Sequence, residues 1–185
     1  MKLTTVVLPA YNEVGRIRST VSEVLGYFDE KQLRCEVIVA ADGDDGTREA
    51  VREMSSSRAD IRVMGSERRC GKGHGIREAV AVAAGDVIGF VDADDKTPIS
   101  EFDKLEPRLR DGCDVVIGSR AMPGSLIERA QPLYRRWGSS GFGVFMHVCV
   151  GLNDIPDTQC GFKFFRGDVA RDLFRRQRID GYMFD

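Results

Sequence analysis

Asp86-Val-Ile-Gly-Phe-Val91, followed at once by Asp92-Ala-Asp-Asp95, decides how this 185-residue chain is read. The apolar run makes a short strand of the kind buried on both faces inside a parallel sheet. Three carboxylates then arrive at its C-terminal edge, which is where ligands bind in open α/β sheets. Side chains alternate along an extended chain, so Asp92 and Asp94 are expected on one side, where they can grip a single hard cation. A cation held there neutralises a diphosphate, which points to an enzyme using a nucleotide-activated substrate. Asp42-Gly-Asp44 has the same spacing, and paired acids after a strand also serve turns and helix caps. The flanking sequence must therefore carry the reading further.

Outward from that strand the apolar pattern alternates. Strands are expected at Leu3–Leu8, Glu36–Ala41, Ile61–Met64, Val87–Val91 and Val115–Ile117. Between them lie helical stripes. Glu13–Phe28 carries Ile17, Val21, Val24, Leu25 and Phe28 on one face, and Thr47–Met54 turns Ala50, Val51 and Met54 inward behind a Thr47 cap. Gly75–Ala84 buries Ile76, Ala79, Val80 and Ala83, and Glu101–Arg110 makes a further helix. Short β-branched strands alternating with amphipathic helices predict an α/β fold, with a mostly parallel central sheet and helices on both faces. The dinucleotide-binding signature Gly-x-Gly-x-x-Gly does not follow the first strand; Pro9-Ala-Tyr-Asn-Glu13 does. After Ile117 the pattern becomes irregular and richer in Arg, Gly and aromatic residues, as a substrate-binding lobe would be. The expected division is one domain, with a nucleotide-sugar half at about 1–118 and an acceptor half at about 119–185 that stops abruptly at Gly181-Tyr-Met-Phe-Asp185, as a trimmed piece would.

Composition removes several classes of function. Charged residues make up 30% of the chain, yet the formal net charge is -2, so no basic excess tracks a nucleic-acid backbone. The five cysteines, Cys35, Cys70, Cys113, Cys149 and Cys160, are scattered without a Cys-x-x-Cys pair. That argues against a structural zinc site or a disulfide framework and for a reducing cytosol. Met1–Pro9 lacks the apolar core of a secretory signal. No apolar run reaches the roughly 18 to 20 residues that span a bilayer. The longest, Gly138–Gly151, contains His147 and reads as a core helix in preference to one lying on a membrane surface.

Four motifs fall in order at the ends of expected strands or in the loops after them. They are Val6-Val-Leu-Pro-Ala-Tyr-Asn-Glu13, Val37-Ile-Val-Ala-Ala-Asp-Gly-Asp-Asp-Gly-Thr47, Phe90-Val-Asp-Ala-Asp94 and Asp157-Thr-Gln-Cys-Gly-Phe-Lys-Phe-Phe165. Gly71-Lys-Gly73 and Gly118-Ser-Arg120 lie between them. The series resembles the inverting glycosyltransferases of family 2, with the GT-A fold. Within them it is most similar to the polyprenyl-phosphate sugar transferases of the dolichyl-phosphate β-glucosyltransferase type. The likeness covers essentially the whole chain.

The resemblance implies roles residue by residue. Pro9, Ala10, Tyr11 and Glu13 surround the base and ribose of a nucleotide sugar, with Asp42 beside them. Asp92 and Asp94 form the metal and diphosphate motif, Asp92 nearer ribose and sugar, with Mg2+ or Mn2+ as Lewis acid on the leaving nucleoside diphosphate; Asp95 is either an additional ligand or solvated. Arg68-Arg-Cys-Gly-Lys-Gly-His-Gly75 precedes a helix, whose N-terminus and glycines can approach a phosphate while Lys72 supplies charge. Arg120 and Arg135 neutralise phosphate charge, and Arg129, Arg135 and Lys163 receive the acceptor phosphate. Arg136 reads as a solvated helix face. Asp157 is the candidate base or acceptor-positioning residue, and Phe162, Phe164 and Phe165 are expected in the core. One departure stands out: Ala41 occupies a position that is acidic in the family's second motif, which leaves nucleobase choice open and makes Asp44 and Asp45 turn residues.

The expected reaction is hexose transfer from UDP-glucose or GDP-mannose to a polyprenyl or dolichyl phosphate lipid, by a protein peripheral on the cytoplasmic membrane face and capable of forming a homo-oligomer. Two alternatives remain open from the residues alone. One is transfer to a saccharide or metabolite hydroxyl, and the other is a catalytically silent sugar-nucleotide-binding module.

Overall fold

Six strands form one sheet in the order β3-β2-β1-β4-β6-β5. The computed structural model describes residues 2–93, 97–119 and 160–184. In chain order the elements are β1 (Leu3–Tyr11), α1 (Ile17–Glu30), β2 (Arg34–Asp42), α2 (Thr47–Ser57), β3 (Ile61–Met64), α3 (Lys72–Val82) and β4 (Val87–Val91). A 3-10 turn (Ile99–Glu101), α4 (Phe102–Arg110), β5 (Val115–Ile117), β6 (Phe162–Arg166) and α5 (Gly167–Arg176) follow. Two units divide the chain, one of Met1–Val116 with Gly161–Asp185 and one of Ile117–Cys160. The first carries the cleft and the side-chain packing described below.

Strands β1, β2, β3 and β4 run parallel, as their crossover helices require, while β6 returns antiparallel beside β4. The chain moves from β1 outward to β2 and β3, then crosses back to place β4 on the other side of β1. That reversal creates a switch point at the C-terminal ends of β1 and β4.

Apolar side chains fill both faces of the sheet. Val7, Ile38, Phe90 and Phe165 pack under Ile76 and Val80 of α3 and Ala170 and Phe174 of α5. On the opposite face Phe28 of α1, Phe102 of α4 and Phe164 of β6 meet, with ring centroids 5.5 and 4.7 Å apart. Phe162, Phe164 and Phe165 are all buried, the core placement expected of them. Each such ring stabilises the fold by about 1.5–3 kcal/mol relative to exposure. A buried Glu36 carboxylate ties β2 to its neighbours, accepting from Thr5 Oγ1 at 2.6 Å and from the Ala84 amide at 2.7 Å.

Several boundaries differ from the pattern reading. β1 continues through Pro9 to Tyr11, and α1 begins at Ile17 instead of Glu13. The intervening residues make a turn: Asn12 adopts φ 55°, and the Glu13 carbonyl accepts from the amides of Arg16 and Ile17. α3 starts at Lys72, ahead of the expected Gly75. β6 and α5 arise in a stretch that read as irregular. Among the described residues no helix is long and apolar enough to cross a membrane.

Candidate active site

The ladder between β1 and β4 ends at Val7 and Phe90, whereas that between β1 and β2 continues to Tyr11 and Asp42. The last residues of β1 are thus flanked on one side only, a setting in which a strand tolerates proline at Pro9. The gap opens into a cleft of about 190 Å³. Pro9, Ala10, Tyr11 and Glu13 border it from β1 and the turn after it, Asp42 from β2, Lys72 from α3, and Asp92 from the end of β4. Seven residues singled out from four separate segments of sequence therefore share one cavity.

At its centre Lys72 Nζ lies 2.6 Å from Asp92 Oδ1, and both side chains are largely shielded from solvent. The Asp92 amide donates to the Gly161 carbonyl at 3.1 Å, which joins the third and fourth motifs directly. A half-shielded ion pair of this kind presents fixed charge of both signs to a ligand.

Asp42 is placed beside Tyr11, but its oxygens are engaged by the loop after β3. Oδ2 accepts from the amides of Cys70 at 2.6 Å and Gly71 at 3.3 Å, and Oδ1 accepts from Ser66 at 3.2 Å. In this arrangement Asp42 folds the wall of the cleft. Arg48 reinforces it: its buried guanidinium donates to the carbonyls of Ala41 at 3.2 Å and of Gly43 and Ser66 at 2.6 Å. Arg69, on the same loop, sits 4.5 Å from the centre of the half-exposed Tyr11 ring, a cation–π arrangement at the cleft mouth.

Asp44 and Asp45 read as turn residues, and Asp45 is seen doing that work. Its carboxylate accepts from Thr47 Oγ1 at 2.6 Å and from the amides of Thr47 and Val14 at 3.0 Å. Burial pushes the Asp45 carboxyl up, but these hydrogen bonds outweigh it and hold the group below its ordinary range. Thr47 in turn accepts from the Glu13 amide at 2.9 Å instead of capping α2 itself. The start of α3 also differs from its expected role. The amides of Gly73 and His74, which a phosphate would need, donate to the carbonyls of Gly181 and Asp180.

Lys163 is buried at the middle of β6, with Nζ 5.7 Å from the Phe90 ring centre, and does not line the cleft. The expectations for Asp94, Asp95, Arg120, Arg129, Arg135, Arg136 and Asp157, and for the Gly138–Gly151 run, fall outside the described residues. Among the described residues no three His, Cys, Asp or Glu side chains converge as a ready metal cluster. Asp92 nevertheless supplies one hard oxygen at the cleft, which suits a small cation held by one or two carboxylates plus substrate phosphates. Among the described residues Cys35, Cys70, Cys113 and Cys160 form no disulfide, and burial drives the Cys35 thiol far up, leaving it inert.

Arg48, Arg69 and Tyr182 were not anticipated. Arg48 had a legible signal, since an arginine falls on the inward stripe shared by Thr47 and Val51. Tyr182, a further wall of the cleft, had none. A wider depression of about 320 Å³ lies between α1 and α2 near Gly26, Met54 and Ile61, on the opposite strand edge, and holds no motif residue.

Comparison with known proteins follows the same lines. The family model for "Glycosyl transferase family 2" matches residues 5–174. The chain is 34% identical to the dolichyl-phosphate beta-glucosyltransferase ALG5C of Trichomonas vaginalis, over 98% of this chain and 57% of that protein. It is 31% identical to the human dolichyl-phosphate beta-glucosyltransferase, over 100% of this chain and 61% of that one. It thus spans less than two thirds of the curated relatives it matches. Among solved structures, glucosyl-3-phosphoglycerate synthase from Mycobacterium tuberculosis, in complex with Mn2+ and UDP-glucose, superposes with a TM-score of 0.64 at 19% identity, covering 98% of this chain and 61% of that one. The shared architecture is the GT-A fold. With three of its motifs and the Gly71–Gly73 loop gathered around one cleft and the family model spanning most of its length, the chain belongs to glycosyl transferase family 2.

Proposed function

We infer that this chain transfers a hexose, with inversion, from a nucleotide diphosphate sugar to a polyprenyl phosphate of the dolichyl type, as a peripheral protein at the cytoplasmic membrane face. UDP-glucose is the first-choice donor and GDP-mannose the second. The names of the relatives and the UDP-glucose held by a structural neighbour support the choice. The observation that carries the reading is the Lys72–Asp92 pair at the β1–β4 switch point, beside a wall of Pro9, Ala10 and Tyr11.

The chemistry assigned to the residues follows from their types. Tyr11 and Pro9 offer flat surfaces to a base, and Glu13 accepts from ribose hydroxyls. Lys72 brings positive charge to the diphosphate. Asp92 and Asp94 would hold Mg2+ or Mn2+, which when bound supplies Lewis-acid charge to the leaving group. Arg120 and Arg135 neutralise phosphate, Arg129 serves the acceptor, and Asp157 orients it, whereas the buried Lys163 takes no part. A phosphate monoester with its second pKa near about 6 is already ionised at neutral pH, so it needs little general-base help. Alignment and charge neutralisation then account for most of the rate.

Calorimetric titration with UDP, GDP, UDP-glucose and GDP-mannose, with and without Mn2+, tests this, followed by a transfer assay on a short-chain polyprenyl phosphate. Metal-dependent binding of one nucleotide, and product formation lost in Asp94→Ala, are expected. Metal-independent transfer that survives Asp94→Ala overturns the assignment.

A further inference from the structure

The segment following α5 makes contacts that the donor-site motifs do not explain. It returns across the start of α3 and closes over Lys72. Phe184 inserts beside Phe90 and Phe174, with ring centres 5.5 and 6.3 Å away. The carbonyls of Asp180 and Gly181 accept from the amides of His74 and Gly73 at 3.2 and 3.1 Å. Arg77, one turn into α3, fixes the side-chain arrangement. Its guanidinium lies 2.8 Å from Asp180 Oδ1 and donates to Gln177 Oε1 at 3.0 Å, and His74 Nδ1 stands 3.7 Å from the same Asp180 oxygen.

The glycines of Gly71-Lys-Gly73 are explained by this docking. A methyl group on Gly71, which has φ +111°, would meet the Asp180 carbonyl oxygen at 2.2 Å, and one on Gly73 would meet the Ile179 oxygen at 2.2 Å. Backbone occupies the space on that side, so any side chain there expels the segment. Between the two glycines, Lys72 is enclosed: Nζ lies 5.0 Å from the centre of the Tyr182 ring and 5.8 Å from those of Phe90 and Phe184. Two of those three rings belong to the docked segment. A lysine has four rotatable bonds and no fork geometry to fix it, so its direction is set by such surroundings. Here they leave it pointing at Asp92.

We propose that residues 177–184 form a clasp that belongs to the nucleotide site: the Arg77–Asp180 pair latches it onto α3, the clasp aims Lys72 into the cleft, and Tyr182 closes the cleft as its outer wall. Arg77 and Asp180 are positioning residues that act through Lys72, whereas Tyr182 meets the ligand. The proposal rests on Lys72 being a donor-binding group.

The test uses UDP and GDP as probes, with Mn2+, in titration calorimetry on the whole chain. Arg77→Met and Asp180→Asn each weaken binding of the preferred nucleotide by about 5-fold, near the upper end for a partly exposed ion pair. Combined with Lys72→Ala, the same substitutions change affinity by less than about 2-fold, because residues acting through one group are not additive. The charge exchange Arg77→Asp with Asp180→Arg restores affinity. Tyr182→Ala weakens binding while Tyr182→Phe keeps it; the ring is exposed, so neither change threatens the fold. Equal losses in the Lys72 and Lys72→Ala backgrounds overturn the latch, and full affinity in Tyr182→Ala overturns the wall. If Lys72→Ala alone binds nucleotide as well as the parent, the donor reading itself falls, a separate outcome.

Discussion

Gly161→Ala is the sharpest perturbation of this site, because the three atoms nearest the added methyl group all belong to Asp92. Gly161 does not occupy the left-handed region, so alanine brings no backbone strain of its own. Its Cβ would lie 2.0 Å from Asp92 Oδ2 and 2.3 Å from Cγ. A carbon–oxygen contact of about 3.3 Å is ordinary, so the carboxylate must withdraw by about 1.3 Å. The Lys72 contact at 2.6 Å cannot follow; it has roughly 0.6 Å to give before a charged hydrogen bond is lost near about 3.2 Å. Forcing the Asp92 side chain from its rotamer costs about 0.5–1.5 kcal/mol, and in a chain of this size that lowers Tm by roughly 1–6 °C. The functional effect is larger. A misplacement of about 1 Å at reacting groups can cost about 100-fold, so nucleotide affinity and transfer rate should fall by about 10- to 100-fold. Scanning calorimetry and UDP titration, run on Gly161→Ala in the parent and in Asp92→Ala, read both effects. With the carboxylate gone the methyl group has room, so the stability cost should vanish in the second background. An equal Tm drop in both backgrounds would falsify the argument, as would unimpaired nucleotide binding in the single variant.

Arg48→Met removes a charged donor from three carbonyls and should cost about 2 kcal/mol, or roughly 4–8 °C in Tm, with weakened UDP binding as the loop from Ser66 to Gly71 loosens; a thermal melt at the parent's value refutes it. The lowered Asp45 carboxyl stabilises the fold at pH above its ordinary value of 3.8, and that contribution is lost as pH falls through the lower folded value. Urea unfolding of parent and Asp45→Asn should accordingly diverge at neutral pH and converge in acid, and a constant gap across pH removes the hydrogen-bond account. Asp157→Asn distinguishes the acceptors: a mild loss of transfer at every pH fits a phosphate that is already ionised, whereas near-complete loss means a required base and a hydroxyl acceptor.

Strand β4 ends where the apolar pattern says it ends, because burial on both faces leaves an uninterrupted run with clear borders. The start of α1 was misjudged for a local reason: Glu13 lies in phase with the helical stripe, yet its carbonyl closes a turn and Asn12 sits at positive φ. The alternation of elements, the mostly parallel sheet and seven of the cleft-lining residues were readable in the chain, since periodicity and motif order are local properties. Which partner each charged group takes was not. Asp42 is tied to amides at 66, 70 and 71 only because β2 and β3 lie side by side, and Lys72 meets Asp92 only because the crossover returns β4 beside β1. Tyr182 and Asp180 reach α3 from about a hundred residues away, through an antiparallel β6 and an α5 that local pattern had passed over. Hydrophobic spacing specifies which face a residue turns inward, but strand order and crossover direction decide what it finds there.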